Sequence, residues 1–328
     1  MGTEINSVAD YTNLIFSNSF QSEIFLDTKI NPYYSGIWFR GESEVGRLLL
    51  PALFRGNDKK KIDETSVVRE FKRRFPQFSI NHKDSYDWLC LMQHYGISTR
   101  LLDFSESPIV ALYFAVQKEN KFDKDGAVIV LNSMRLNAAT SLFDKVALPS
   151  VPVVRLRAKL SEINNINQLS IYNSDFTYLA QLALNYQCLK ENNYLPDSQD
   201  KDFIKDSIEL GHYLDNCNNE EIAEKYPEIF SLPVATAPSH LNERLIAQSG
   251  TFIIFGGKGL RYSTNIPAPI LIEDIDAKLS MMKKIIIPSE SKLRIRNELK
   301  VLGIHEGVLY PELSFRARQI EETWTFPI

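Results

Sequence analysis

The chain has little cysteine, histidine or methionine, with 3 Cys, 5 His and 5 Met in 328 residues. Cys90, Cys188 and Cys217 are odd in number, widely separated and free of CxxC pairing. That excludes a disulfide framework and a thiolate zinc site, and it fits a reducing compartment. His82, His94, His212, His240 and His305 are scattered without ligand spacing, so no metal centre is expected. Basic charge is not in excess either: the net charge of −4 excludes the global positive field that dominates nucleic-acid binding. No run approaches the roughly 18 uninterrupted apolar residues of a membrane helix. Polar and acidic residues precede the first apolar run, so no signal peptide is expected and a cytoplasmic location is. P-loop, GxGxxG and GxSxG motifs are also missing.

What remains is ordinary globular material, 44% hydrophobic and 24% charged, enough for one large domain or two modest ones. Residues 5–25 carry apolar side chains at helical spacing and read as one amphipathic helix, broken by Asn31-Pro32. Gly36–Gly41 is short, aromatic and glycine-bounded, which reads as a strand with Ile37 and Phe39 on one face and Trp38 and Arg40 on the other. Helices follow over Glu64–Phe78 and Tyr86–His94, and a third is capped by Ser107-Pro108 and buried along Ile109–Val116. The run Gly126–Leu131 is a buried strand. From about 155 to 230 the chain becomes rich in Asn, Lys, Asp and Glu with helical patterning, a helical insertion suited to a lid or a partner surface. Strands return at Gly250–Phe255 and Lys284–Pro288, and Ser289 starts a helix that stops at Gly303. The alternation predicts an α/β (α+β) fold with a mixed sheet core, a helical insertion and flanking helices.

Three clusters carry candidate chemistry. Arg40, inside an aromatic strand and followed by Gly41, needs an anionic or hydrogen-bonding partner, which a ligand carboxylate or phosphate or an acid such as Asp103 could supply. His94, Thr99, Arg100 and Asp103 form a polar group ahead of a buried helix; Arg100 and Asp103 could equally hold one another. Ser105 reads by default as a cap-region hydroxyl. Glu243, Arg244 and Gln248 precede a strand, where loops deliver side chains to pockets. The echo of Phe39-Arg40-Gly41 in Phe54-Arg55-Gly56 is too short to count as a repeat.

Trp38-Phe39-Arg40-Gly41, then Gln93-His94-x-Gly96-x-x-Thr99-Arg100-Leu101-Leu102-Asp103-Phe104-Ser105, then Ala111–Ala115, resembles the FRG domain family, named for its aromatic-Arg-Gly motif. Arg244-x-x-x-Gln248-x-Gly250-x-Phe252 and Tyr310-Pro311-Glu312-Leu313 fit too, so the resemblance runs from about residue 30 onward. It implies an N-terminal helical segment over 1–30 and a single FRG domain over 31–328. Ser98 stands where the family commonly has proline, and Phe104 where it commonly has tryptophan. A more distant resemblance is to ADP-ribosyltransferases. These order an aromatic-Arg-Gly strand, a Ser-Thr-Ser strand running into a helix, and a glutamate before a Gly-x-x-Phe strand. Here Asp103-Phe104-Ser105 replaces Ser-Thr-Ser, and Leu241 stands two residues before Glu243, so no Glu-x-Glu pair occurs.

The resemblance implies a sheet core of ADP-ribosyltransferase-like type and NAD as substrate. Arg40, His94, Asp103, Glu243 and Gln248 would serve catalysis. Phe39, Arg40, Gly41, Thr99, Arg100, Ser105 and Arg244 would hold the dinucleotide, with Gly41 giving the nicotinamide amide access to backbone. The activity expected is ADP-ribose transfer to a protein or nucleic-acid acceptor, or NAD hydrolysis, in a toxin or phage-defence setting, with residues 155–230 available to a protein partner. The alternatives are a non-catalytic binding or scaffold module and a hydrolase or nuclease using His94 and Asp103.

Overall fold

The computed structural model describes residues 3–25, 36–55, 62–82, 84–142, 146–172, 175–196, 199–238, 242–258 and 265–325. The Asn31-Pro32 break and Leu241 lie outside them. Among the described residues seven strands form one mixed sheet: β1 (Thr3–Glu4), β2 (Ile37–Glu42), β3 (Leu101–Ser105), β4 (Gly126–Asn132), β5 (Val234–Thr236), β6 (Gly250–Ile254) and β7 (Met282–Ile287). Their order is β1-β7-β4-β2-β3-β6-β5. All neighbours are antiparallel except β1 and β7.

β4 is buried at every position because β2 and β7 flank it and both its faces are covered. The period-2 alternation of β2 divides its side chains as expected. Ile37 and Phe39 pack with Val128, Val130 and the apolar helix Pro108–Val116, while Trp38 packs with Leu131, Phe104 and Ile253 on the opposite side. That helix begins as its sequence dictates: Ser107 accepts from the Val110 amide, and Pro108 occupies the first helical position.

Several boundaries differ from the expected ones. Residues 5–25 form two helices, Val8–Ile15 and Asn18–Phe25, after the short strand β1. The first helix closes at Phe16, whose amide bonds back to the Thr12 carbonyl. The helix from Glu64 stops at Arg74 because Pro76 disfavours helical backbone at Phe75, and Pro76–Ile80 continue as a 3-10 turn. Glu243, Arg244 and Gln248 precede β6 as expected, but Glu243 and Arg244 lie on a short helix, Glu243–Ala247, capped by Asn242, and not on a loop. Among the described residues of 155–230 the chain is mainly helical, and the segments Phe176–Asn192, Lys201–Asp215 and Asn219–Lys225 contribute Leu179, Leu214 and Ile222 to one apolar cluster.

One feature of the sheet positions the site. β2 and β4 are paired from Ile37↔Asn132 to Glu42↔Ala127, and β3 and β6 from Leu101↔Ile254 to Ser105↔Gly250. Between β2 and β3, however, the register holds only Phe39↔Ser105. Beyond that pair the two halves of the sheet separate.

Candidate functional site

A cavity of about 300 Å³ lies along this separation, lined by Arg40, Gly41 and Glu42 of β2 and by Asp103, Phe104 and Ser105 of β3. Its volume is at the lower end of the ordinary range for small-molecule sites, about 300–1,000 Å³. The parting strand leaves the Asp103 carbonyl without a ladder partner, and Arg40 supplies one, donating from Nη1 at 2.6 Å. The same guanidinium donates from Nε to Glu42 Oε1 at 2.7 Å.

Glu42 is buried and faces three guanidinium groups. Arg40 is joined by Arg47 Nη1 at 3.8 Å from Oε2 and by Arg55 Nη2 at 4.0 Å from Oε1. Arg55 also donates to the Leu50 carbonyl at 2.5 Å. Its pKa is lowered by burial and then by the adjacent Arg40 and Arg47 charges. Lys118 and Arg244 add two further cations to the lining, against the carboxylates of Glu42 and Asp103. The cavity is therefore electropositive although the chain is net acidic, and it suits an anion with several acceptor oxygens.

Asp103 is the carboxylate this cavity presents. Its side chain is 60% exposed, 4.0 Å from Arg40 Nη1, and accepts from Gln93 Nε2 at 3.1 and 3.0 Å. Glu312, which is not among the lining residues, is held by Arg244 at 2.8 and 2.5 Å. Glu243 is exposed on the first turn of its short helix and does not line the cavity.

The expected site residues divide accordingly. Phe39, Arg40, Gly41, His94, Asp103, Ser105, Arg244 and Gln248 are brought together around one cavity, whereas Thr99, Arg100 and Glu243 are not among its lining. Thr99 is fully buried behind Gln93 and donates to Gln93 Oε1 at 2.6 Å. Arg100 is also fully buried and pairs with Glu64, through Nε at 2.9 Å and Nη2 at 2.5 Å. Its Nη1 donates to the Phe255 and Gly257 carbonyls. It holds the helix that starts at Glu64 and the segment just after β6 to the start of β3, and does not pair with Asp103.

Several lining groups are committed to structure. Ser105 Oγ donates to the Gln248 carbonyl at 2.7 Å and accepts from the Ser107 amide at 2.9 Å. Gln248 Nε2 donates to the Leu309 carbonyl at 3.0 Å, tying the C-terminal wall to β6. Arg244 lies over the Tyr310 ring, 5.1 Å from its centroid. Gly41 has a packing reason as well: a Cβ there would sit 2.0 Å from the Ala111 carbonyl oxygen, so the glycine lets the helix Pro108–Val116 rest on β2.

His94 ends the helix Ser85–His94, and its Nδ1 is buried without a hydrogen-bond partner. Burial, followed by the Arg244 charge, lowers its pKa. His94 shares the cavity with Asp103, but no hydrogen bond joins the two side chains. No group of three or more His, Cys, Asp or Glu side chains able to hold a metal occurs among the described residues. No described helix is long and apolar enough to cross a membrane.

Glu42, Arg47, Arg55 and Lys118 were not anticipated as site residues. Local signals point to two of the four: Glu42 follows Arg40 by two on the same strand face, and Arg55 occupies the second Phe-Arg-Gly tripeptide.

The chain is thus an α/β protein with an electropositive cleft where its mixed sheet divides. The FRG domain family model matches residues 35–124, and the chain carries an FRG domain. The match spans β2, β3 and the helix Pro108–Val116, but not the walls contributed by Arg244, Gln248 and Tyr310, nor the rest of the span expected from about residue 30 onward. No curated protein and no solved structure matches the chain.

Proposed function

We propose that the cleft binds NAD and that the protein is an ADP-ribosyltransferase-like enzyme, transferring ADP-ribose to a macromolecular acceptor or to water. The observation that carries this reading is the exposed Asp103 carboxylate set among the arginines of the divided sheet. Arg40, Arg47 and Arg55 offer forked donors and excess positive charge for a diphosphate. Asp103 supplies the negative charge that an oxocarbenium-like ribose needs when its bond to nicotinamide breaks.

In that reaction the C1′–N bond breaks, and its electron pair leaves with nicotinamide, which becomes neutral. The acceptor's oxygen or nitrogen forms the new bond at C1′ and gives up its proton to Asp103 or solvent. Glu243, the carboxylate position suggested by the ADP-ribosyltransferase motif order, lies outside the cavity, so Asp103 takes that role. A toxin or phage-defence setting would suit such chemistry, because NAD consumption or modification of a macromolecule can harm the host cell.

Calorimetric titration of NAD into the full chain tests the reading. Binding is expected, and Arg55→Ala should weaken it on the order of tenfold, the loss of one charge-assisted contact. Absence of NAD binding at millimolar concentration contradicts the reading and favours a non-catalytic module that recognises another anion.

A further inference from the structure

We propose that Gln93 is the positioning residue for the Asp103 carboxylate, and that Thr99 fixes Gln93 in the orientation this requires. The inference rests on the reading of the cleft as an NAD site, and it gives Thr99 a role other than touching the dinucleotide.

The argument follows the direction of each hydrogen bond. Thr99 is fully buried, so its hydroxyl must be satisfied within the protein. It accepts from the Leu101 amide at 3.2 Å and donates its single proton to Gln93 at 2.6 Å. The Gln93 atom facing Thr99 is therefore the amide oxygen, and Nε2 is turned toward β3. There it lies 3.1 and 3.0 Å from the two Asp103 carboxylate oxygens. A reversed amide would set its oxygen against that carboxylate, an arrangement of two acceptors with no proton between them.

Asp103 needs such a partner. Its side chain is largely exposed, and the nearest cation, Arg40 Nη1, is 4.0 Å from Oδ2. Arg40 makes its short contact to the Asp103 backbone carbonyl instead. Gln93 is thus the group whose side-chain donor sets the direction of the carboxylate. It can do so from a rigid base, because it sits in the last turn of the helix Ser85–His94, while Thr99 lies just before β3. The relay joins a helix end to a strand across the turn at Gly96, whose φ is +78°.

The test uses the full chain with Gln93→Met, which keeps side-chain length without a donor, and with Thr99→Val and Thr99→Ser. For each, kcat and KM are measured from nicotinamide release, and folding is followed by thermal melting. Gln93→Met and Thr99→Val should lower kcat on the order of tenfold or more while KM for NAD stays within about twofold, since orientation and not binding is lost. Thr99→Ser, which keeps the hydroxyl, should retain most of the wild-type kcat.

A wild-type kcat in Gln93→Met overturns the relay, as does a Thr99→Ser variant impaired as much as Thr99→Val. If Thr99→Val does not fold, Gln93→Met alone decides. Absence of nicotinamide release from the wild-type chain overturns the functional reading and the relay with it. An active wild type with an unaffected Gln93→Met overturns the relay only.

Discussion

The guanidinium of Arg40 donates to the backbone carbonyl of Asp103 at 2.6 Å, in the gap where β2 and β3 would otherwise pair. One side chain thereby satisfies the carbonyl that the separation exposes. The same contact places the Asp103 carboxylate beside the cationic lining. Fold and site are linked through this pair, and the first consequences to test concern stability.

Arg100 belongs to the core, where its side chain and that of Glu64 are 0% and 3% exposed. Arg100→Ala would leave the Glu64 carboxylate buried and unpaired, at a cost of about 3–5 kcal/mol. Urea denaturation should show that loss. A stability near wild type would contradict the structural role assigned to Arg100.

Gly41→Ala introduces a Cβ 2.0 Å from the Ala111 carbonyl oxygen and 2.5 Å from the Ala115 amide nitrogen. Backbone lies on both sides of the clash, so the helix Pro108–Val116 must shift and lose packing against β2. The expected loss is at least about 1–3 kcal/mol, seen as a lower melting temperature. An unchanged melting temperature would show that the close approach is not maintained.

His94 gives a pH dependence with a definite sign. Its folded pKa is lowered by burial and by Arg244, so the unfolded chain takes up a proton there first as pH falls. Its contribution to stability is fully present above the unfolded value of about 6.5 and is lost as pH falls toward the lower folded value. His94→Gln should therefore show a shallower decline of melting temperature below that pH than the wild type. Identical slopes would contradict this. Because His305 is also shifted downward by burial, the comparison must be between variant and wild type and not read from one profile.

Much of the framework was legible in the sequence because it rests on local pattern. A short aromatic, glycine-bounded run marks β2, the continuous apolar run Gly126–Leu131 marks a buried strand, and Ser107-Pro108 marks the start of a helix. The division of the sheet was not legible, because it depends on a side chain of one strand satisfying the backbone of another.

The site shows the same limit. Arg40 stands out by its place in an aromatic strand and Asp103 by the polar cluster ahead of a buried helix, but Arg100, three residues from Asp103, turns the other way into the core. Its partner Glu64 is 36 residues upstream, at no spacing that a periodicity rule covers. Arg47 and Arg55 come from the irregular segment after β2, where no face can be assigned in advance. Glu243 drew attention through its place before β6, yet the short helix begun by Asn242 leaves it outside the cavity.

The most direct measurement is nicotinamide release from NAD by the full chain, with Asp103→Asn and Glu243→Gln alongside. The wild type should release nicotinamide, and Glu243→Gln should do so at a similar rate. Asp103→Asn should lose on the order of a hundredfold or more in kcat, the scale expected when a group stabilising transition-state charge is removed. Retained release in Asp103→Asn, or loss in Glu243→Gln alone, would contradict the assignment of the carboxylate. No release from the wild type, with a cell lysate supplying acceptors, would contradict the account of the cleft as a site of NAD chemistry.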